Sequence, residues 1–437
     1  MQSILQSIVA SFARATIQKY KPIIIGVAGS TAIAPARMAL FAVLKNKYYI
    51  RTAQTGYGNE TGLALTILGF PDQGKNPLRW FLWLARSSIN AYLISVTYPD
   101  ILILEYDIER CGDAEKLLSI AKPSILVITA LDEPTPQDTA FPESDDYLSE
   151  IKRLVSLLPE SGYAILNHDD SSASDLKEET RAHAMTYGFE THADVKIAHY
   201  DIRMAKDKEG SDAPEGIAIK LEYGGSVVPC RIHDAIGKPH VYAAAAAACA
   251  GLVLNMNLVE ISEALHAYIP PPGRMRLLKG IKNSLIIDDT DDATPDSMRS
   301  GLETLATMPG QRKIAVLGDI VGIERLNEQV HRSIGDLAAQ HAGLLIAIGP
   351  RAAFIADEAA TRGAEKNARR LEPQQIIRFD DAESAGRALD PLVQPRDVIF
   401  VAGSRHMRLE KAIFEIMAQP ERAGELLVRQ EKDWKNV

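Results

Sequence analysis

The sequence is poor in the residues that would place it in several classes of protein. Its 437 residues include three cysteines, Cys111, Cys230 and Cys249, too few and too scattered for a disulfide framework or a thiolate zinc site. Positive charge is also scarce, since 48 Lys and Arg face 57 Asp and Glu for a net charge of -9. That balance repels a nucleic-acid backbone. We therefore expect a cytoplasmic chain with no nucleic-acid partner.

A long apolar run without polar interruption is missing as well. The segment 80–98 is about long enough to span a bilayer, but it carries Arg86 and Asn90 near its middle. We interpret it as a buried or partly membrane-associating amphipathic helix and not as a transmembrane span. Residues 1–21 are apolar in a helical rhythm but include basic residues and no convincing cleavage site, which favours an amphipathic helix over a signal peptide.

What the chain does contain is an alternation of short apolar runs with helical segments. Hydrophobic residues make up 46% and charged residues 24%, as in globular proteins, and the length indicates two or three domains. Such alternation is typical of an α/β fold with parallel sheets. The runs predicted to be buried strands of the first half are 23–29, 101–106, 125–130 and 163–167.

The pattern changes after Asn167 and then restarts. Residues 194–232 alternate and carry charge, which predicts a partly solvated antiparallel sheet at an edge. An Ala-rich helix follows, and the proline-rich stretch 269–276 predicts a rigid connection between domains. The remaining apolar runs predict a second, open doubly wound sheet. The predicted organisation is an N-terminal helix over 1–21, a central domain over 22–273 and a C-terminal domain over 274–437.

A glycine-bearing turn separates the first predicted strand from a helix expected to begin near Ala36. Unpaired N–H groups at such a helix start favour an anion. A working phosphate loop places a Lys on the phosphates and a Ser or Thr hydroxyl on the magnesium ion. Here those places hold Ile33 and Ala34. The residues alone therefore leave two interpretations, a degenerate phosphate loop or an ordinary tight turn.

A wider resemblance rests on segments that occur in one order along most of the chain: GVAGSTAIAPAR, YGNETGLALTILG, ILILEYDIERCGD, GYAILNHDD, PPPGRMRLLKG, IIDDTDDATPDSM and VIFVAGSRHMRLEK. They resemble the Mur ligase family, and within it the ligases that add D-alanyl-D-alanine to UDP-N-acetylmuramoyl-tripeptide. The resemblance implies a central ATPase-like domain and a Rossmann-like C-terminal domain. It also implies ATP and Mg²⁺ as cofactors, a muramoyl-peptide substrate, and amide formation through an acyl phosphate.

The same resemblance implies roles for individual residues that match the family's motifs. The implied cofactor-binding residues are Gly26, Gly29, Ser30, Thr31, Arg274 and Asp289. The implied metal ligand is Glu105, and the implied substrate contacts are Asn59, Glu60, Gly403, Ser404 and Arg405.

The sequence departs from the family at positions that would carry the chemistry. Ile33 stands for the phosphate-loop Lys and Ala34 for the magnesium-binding hydroxyl. The remaining departures are Gln137 for a metal-associated His, Ile151 for a carbamylated Lys with Lys152 next to it as the alternative, Asp291 and Asp292 for a Tyr-Asn pair, and Ala402 for a Lys. Because only residues 1–21 precede the first strand motif, we also expect the family's UDP-binding domain to be absent.

Three hypotheses follow. The first is a Mur-ligase-family protein of peptidoglycan synthesis whose catalysis is impaired or lost, in effect a pseudoenzyme. The second is an active ligase with an unusual site, in which Glu105, Asp291 and Asp292 bind metal while Arg274 and Arg405 bind the phosphates. The third is a non-catalytic scaffold or regulatory partner of an active ligase, docked through the Ala-rich helix or residues 80–98. His331 is predicted to be a packed helix residue and not a ligand.

Overall fold

A computed structural model describes residues 2–53, 57–71, 83, 86, 97–131, 144–206, 212–322, 327–361 and 370–430. Most of the segment 80–98 lies outside the described residues, and so does Gln137. The interpretations that rest on them stay predictions.

The chain divides into two compact units. Unit 1 comprises Met1–Tyr200, Ile219–Cys230 and Val241–Ile269. Unit 2 comprises Asp201–Ala218, Arg231–His240 and Pro270–Val437. The predicted domain limits at residues 21 and 273 stay predictions.

The first sheet has nine strands in the order β2-β3-β1-β4-β5-β6-β7-β8-β9. Its core is parallel, with β1 paired to β3 on one side and to β4 on the other. The strands are β1 Ile23–Ala28, β2 Ile50–Thr52, β3 Ile101–Glu105, β4 Ile125–Ile128, β5 Tyr163–Asn167, β6 His183–Gly188, β7 Val195–Lys206, β8 Asp212–Tyr223 and β9 Ser226–His233.

The strands predicted from apolar runs are confirmed. Strands β3 and β4 are wholly buried, and only Ile23 of β1 is partly exposed, as expected for parallel strands covered on both faces. The predicted solvated edge is confirmed as well, because β8 and β9 are neighbours joined by the two residues Gly224 and Gly225, and such a short connection makes them antiparallel.

The second sheet has six strands in the order β10-β11-β15-β12-β13-β14, and only the edge strand β10 is antiparallel to its neighbour. This confirms the predicted open α/β sheet in the C-terminal part of the chain. The strands are β10 Arg276–Lys279, β11 Leu285–Asp289, β12 Lys313–Gly318, β13 Leu344–Ile348, β14 Ile376–Phe379 and β15 Val398–Ala402.

Helices connect the strands in both sheets. The predicted N-terminal helix and the Ala-rich helix are confirmed as α1 and α7. In chain order they are α1 Gln2–Tyr20, α2 Ile33–Leu44, α3 Glu60–Leu68, α4 Asp113–Ile120, α5 Ser144–Ser156, α6 Ser171–Asp175, α7 Lys238–Val253, α8 Leu258–Leu265, α9 Pro295–Thr307, α10 Asn327–His341, α11 Ala352–Ala360, α12 Ala382–Leu392, α13 Glu410–Ile416 and α14 Ala423–Leu426. No helix in the described part of the chain combines the length and apolar character needed to cross a membrane.

Candidate functional site

The turn after β1 folds against the end of β4. Gly29 has a φ of 144°, and a Cβ there would lie 2.1 Å from the hydroxyl oxygen of Thr129, so only glycine fits. The backbone N–H and the hydroxyl of Ser30 both donate to the carbonyl of Ala130, each at 2.8 Å. The Thr129 hydroxyl donates to the carbonyl of Thr31 at 2.6 Å. Two of these donors, the N–H and the hydroxyl of Ser30, are groups that a phosphate loop would offer to a phosphate.

Helix α2 begins three residues earlier than predicted, at Ile33. Ala32 precedes it with φ 59° and ψ 18°, a left-handed conformation, and gives no side-chain cap. Proline is tolerated in a first helical turn because the N–H it lacks has no partner within the helix there. Pro35 nevertheless removes one N–H from this helix start, and Ile33 and Ala34 contribute apolar side chains.

Glu105 lies at the end of β3 and forms a buried ion pair with Arg37 of α2. The Nε of Arg37 donates to Oε1 of Glu105 at 2.5 Å, and the two side chains are 5% and 6% exposed. Sequence reasoning missed Arg37, although it is the only charged residue of α2. A single charge in an apolar helix signals a buried partner. The predicted metal role of Glu105 stays a prediction, and the structure gives this carboxylate a guanidinium.

Gly26 lies within β1 and not in the turn. A Cβ at this position would come within 2.9 Å of the Tyr106 ring, whose hydroxyl donates to the carbonyl of Ala121. The absence of a side chain at Gly26 therefore makes room for a buried tyrosine. The structure supplies this packing reason for the glycine, and its predicted cofactor role stays a prediction.

The predicted substrate residues Asn59 and Glu60 stand at the start of α3. The Asn59 side chain accepts the backbone N–H of Gly62 at 3.0 Å and so caps the helix. Both residues line a cavity of about 510 Å³ in unit 1, together with Asp107 and Arg110. The pKa of Asp107 is raised to about 6, chiefly by burial and also by the neighbouring carboxylates of Glu105 and Glu109, against the opposing effect of a backbone hydrogen bond from Gly58.

The position matched to the family's carbamylated Lys is part of the hydrophobic core. Ile151 lies on α5 and is fully buried among apolar side chains. Lys152 points elsewhere, since its Nζ pairs with Glu179 at 2.8 Å and its side chain is 43% exposed.

The predicted site residues that belong to unit 2 lie near the carboxyl ends of β11 and β15. Arg274 pairs with Asp291 at 2.9 Å and also donates to the carbonyl of Asp292 at 3.2 Å. The backbone N–H of Arg405 donates to Oδ1 of Asp292 at 3.1 Å, and its guanidinium lies 3.7 Å from Oδ2. The two aspartates are therefore balanced by the arginines predicted to serve the phosphates.

Two further aspartates end strand β11 and are buried. Asp288 accepts bonds from the N–H of Gly273 and from the N–H and hydroxyl of Thr290, and burial raises its pKa to about 6. Asp289 accepts the hydroxyl of Ser297 at 3.0 Å. Burial also raises the pKa of Asp289, against the opposing effect of the nearby Arg274 charge.

The loop after β15 is tied to the loop after β12. A Cβ at Gly403 would lie 2.7 Å from Leu409 and 3.1 Å from the backbone of Gly318, so the backbone segments at Gly403 and Gly318 pass close to each other. Ser404 donates its N–H to the carbonyl of Asp319, and its hydroxyl accepts the N–H of Val321. These contacts account for both residues as structural links.

His331 is fully buried on α10, as predicted for a packed residue. Its Nε2 accepts the N–H of Ile320 at 3.1 Å, and its Nδ1 bonds to the carbonyl of Asn327 at 2.7 Å. Burial lowers the pKa of this imidazole, so it is neutral at physiological pH.

Arg429 is the residue of unit 2 that sequence reasoning missed. Its guanidinium donates to the carbonyls of Thr290 and Asp291 and pairs with Glu410 at 2.7 Å, and its side chain is 5% exposed. It therefore links the C-terminal segment to the aspartate loop after β11. Arg429 lies in a short segment outside any helix or strand, where no hydrophobic periodicity marks it in the sequence.

The groups at the turn and at Glu105 differ from those that hold a magnesium nucleotide in a working phosphate loop. In the described part of the chain, no three His, Cys, Asp or Glu side chains are grouped so as to hold a metal ion. The carboxylate matched to the metal ligand has a guanidinium partner, and the turn lacks both the Lys and the hydroxyl that the chemistry uses.

Comparison with known proteins identifies the class. Residues 88–251 match the Mur ligase middle domain, and residues 273–405 match the Mur ligase glutamate ligase domain. The chain belongs to the Mur ligase family. Among its relatives is a UDP-N-acetylmuramoyl-tripeptide–D-alanyl-D-alanine ligase of Bacillus subtilis, 24% identical over 411 residues, which cover 93% of this chain and 79% of that protein. The corresponding ligase of Mycobacterium tuberculosis is 25% identical over 403 residues, 87% of this chain and 70% of that protein.

Solved structures agree with this fold. A crystal structure of MurF from Acinetobacter baumannii superimposes with a TM-score of 0.72 at 18% identity, covering 93% of this chain and 78% of that one. MurF of Thermotoga maritima in complex with ADP gives a TM-score of 0.72 at 20% identity, covering 94% and 83%. At these identities the likeness shows the fold.

Proposed function

We propose that this chain is a Mur-ligase-family protein of peptidoglycan-precursor metabolism in which ATP-dependent amide formation is impaired or lost. The family, and relatives named as D-alanyl-D-alanine-adding ligases, support the pathway. A structural neighbour was solved with ADP, which makes an adenine nucleotide the cofactor to test. A muramoyl peptide is the substrate class to test.

The observation that carries the proposal is the turn after β1. The N–H and the hydroxyl of Ser30 both donate hydrogen bonds to the carbonyl of Ala130, and positions 33 and 34 hold Ile and Ala. One charge-assisted hydrogen bond contributes about 1.5 to 3 kcal/mol, and such groups stabilise a phosphoryl-transfer transition state more strongly. Losing a cation and a metal-binding hydroxyl together therefore lowers the rate by several orders of magnitude.

The alternative of an active ligase with an unusual site has less support from the geometry. It requires Glu105, Asp291 and Asp292 to bind metal while Arg274 and Arg405 bind phosphate. In the structure Glu105 is paired with Arg37, the two aspartates are paired with the two arginines, and phosphate binding would have to break the latter pairs. The roles of Asn59, Glu60, Gly403 and Ser404 as substrate contacts stay predictions.

The first test is a calorimetric titration of the full chain with ATP and magnesium. We expect no binding up to millimolar nucleotide and no amide product from UDP-N-acetylmuramoyl-tripeptide and D-alanyl-D-alanine. The Bacillus subtilis relative, assayed in parallel, is the positive control. Micromolar binding with magnesium-dependent amide formation would overturn the proposal. In that case Glu105→Gln and Arg274→Gln decide whether the unusual site performs the reaction.

A further inference from the structure

Three oxygen atoms of different kinds surround the Arg37 guanidinium. Its Nε donates to the Glu105 carboxylate at 2.5 Å, and its Nη1 donates to the carbonyl of Ala53 at 2.6 Å. The hydroxyl oxygen of Thr52 lies 3.4 Å from the same Nη1. A carboxylate, a carbonyl and a hydroxyl are the oxygen ligands that hard divalent cations take in proteins. The guanidinium therefore stands among atoms suited to a cation.

Burial makes this positive charge necessary. The Glu105 side chain is 6% exposed at the end of β3, and a buried carboxylate without a cation is strongly destabilising. Arg37 reaches it from α2, whose other residues are uncharged and whose face toward the sheet is buried. A guanidinium cannot lose its proton, so its charge is permanent.

We propose that Arg37 is a built-in substitute for a divalent cation at Glu105. The guanidinium neutralises the carboxylate and joins β3 to the end of β2 through Thr52 and Ala53, so that this part of unit 1 folds without metal. The inference goes beyond the proposed function, because it concerns the cation position alone and is tested without nucleotide.

The first measurement uses the unmodified protein and its Glu105→Gln variant. Thermal unfolding is followed with and without millimolar MgCl₂ or MnCl₂. We expect neither metal to change the Tm of the unmodified protein in a way that depends on Glu105. A metal-dependent rise in Tm that Glu105→Gln abolishes would overturn the proposal, since Glu105 would then bind metal while Arg37 is present.

The second measurement removes the guanidinium. Arg37→Ala leaves the carboxylate, the carbonyl and the hydroxyl around an emptied space, and its Tm is expected to fall by roughly 10 °C. MgCl₂ or MnCl₂ should recover part of that loss. The double variant Arg37→Ala/Glu105→Gln should show no recovery. An Arg37→Ala protein whose Tm is the same with and without metal would contradict the proposal.

Arg51 offers a matched control in the same unit. Its guanidinium donates to the carbonyl of Ile67 at 2.6 Å and lies over the Tyr98 ring. Arg51→Ala should lower the Tm, but metal should not restore it. Where Arg37→Ala fails to fold, Arg37→Lys keeps a positive charge and should fold with a Tm unaffected by metal. A metal-dependent rise in the Tm of Arg37→Lys would contradict the proposal that Arg37 takes the place of a divalent cation.

Discussion

At the scale of single residues, charges in this molecule are matched by partners distant in the sequence. Arg37 neutralises Glu105, Arg274 neutralises Asp291, and Arg429 pairs with Glu410. Each of these carboxylates is largely buried, so each needs a nearby cation to neutralise its charge in a poorly solvated environment. Glu105, Arg274 and Asp291, which match the family's reaction-centre motifs, therefore form ion pairs in this structure.

The left-handed backbone of Ala32 gives a first prediction. The left-handed conformation costs a residue with a Cβ about 1 to 2 kcal/mol of conformational free energy, whereas glycine adopts it without that cost. Glycine also gains entropy in the unfolded chain, which opposes the benefit by about 0.4 to 1 kcal/mol. We expect Ala32→Gly to raise the free energy of unfolding by up to about 1 kcal/mol in urea denaturation. Ala36→Gly, inside α2, should lower it by about 1 kcal/mol or more, and equal losses at both positions would contradict the argument.

The buried Asp288 carboxyl gives a second prediction. Its pKa is raised from the ordinary 3.8 to about 6, so the folded protein takes up this proton at a higher pH than the unfolded chain does. Between pH 6 and pH 3.8 the folded state binds more protons, and this group makes folding more favourable as the pH falls. Its full contribution is up to about 3 kcal/mol, and it is lost as the pH rises through 6.

Asp288→Asn removes that titration and provides the measurement. Urea unfolding of both proteins at pH 4.5 and pH 7 should show the unmodified protein losing stability relative to the variant as the pH rises. Asp107 titrates in the same direction and is present in both proteins, so its contribution cancels in the comparison. Asp289 interacts electrostatically with Asp288, so the difference between the two proteins measures the coupled titration of this pair. A difference in unfolding free energy that stays constant with pH would show that Asp288 does not titrate in this range.

At the scale of elements, short apolar runs predict the strands well and the site poorly. Runs such as ILILEY and ILVITA mark β3 and β4 because a parallel strand is buried on both faces. The start of α2 was predicted near Ala36 and lies at Ile33, since the left-handed Ala32 is not visible in the composition. Periodicity reports that a residue is buried but not which residue it meets. The partners of Glu105 and Asp291 therefore could not be read from the sequence.

The start of α3 tests whether Asn59 does more than cap a helix. Asn59→Ala should lower the free energy of unfolding by about 1 kcal/mol, because the N–H of Gly62 loses its acceptor. Asn59→Asp should retain stability, since Asp caps equally well. Asn257 caps α8 by accepting the N–H groups of Val259 and Glu260 within a capping box, so Asn257→Ala sets an upper reference for the loss of a cap alone. A loss at Asn59 well above that of Asn257→Ala would indicate a further role in the cavity.

At the scale of the whole molecule, the two units do not follow the chain order. The sequence predicts one boundary at the proline-rich stretch, because prolines mark stiff connections. The structure assigns Arg231–His240 to unit 2, although these residues precede that stretch. Long-range backbone pairing of this kind leaves no local trace in composition, so the sequence alone could not assign the segment.

Hydrogen exchange on the full chain tests that assignment. The N–H of Ile236 donates to the carbonyl of Met275 at 3.2 Å, and the N–H of Leu277 donates to the carbonyl of Asp234 at 2.9 Å. Because these amides are protected by the same pairing, their opening free energies should rise and fall together with denaturant, as in one cooperative unit. The amides of β11 should follow them, and those of β5 in unit 1 serve as the comparison. If residues 231–240 exchanged with β5 and not with β10 and β11, the segment would belong to unit 1 and the predicted limit at residue 273 would describe the cooperative domains.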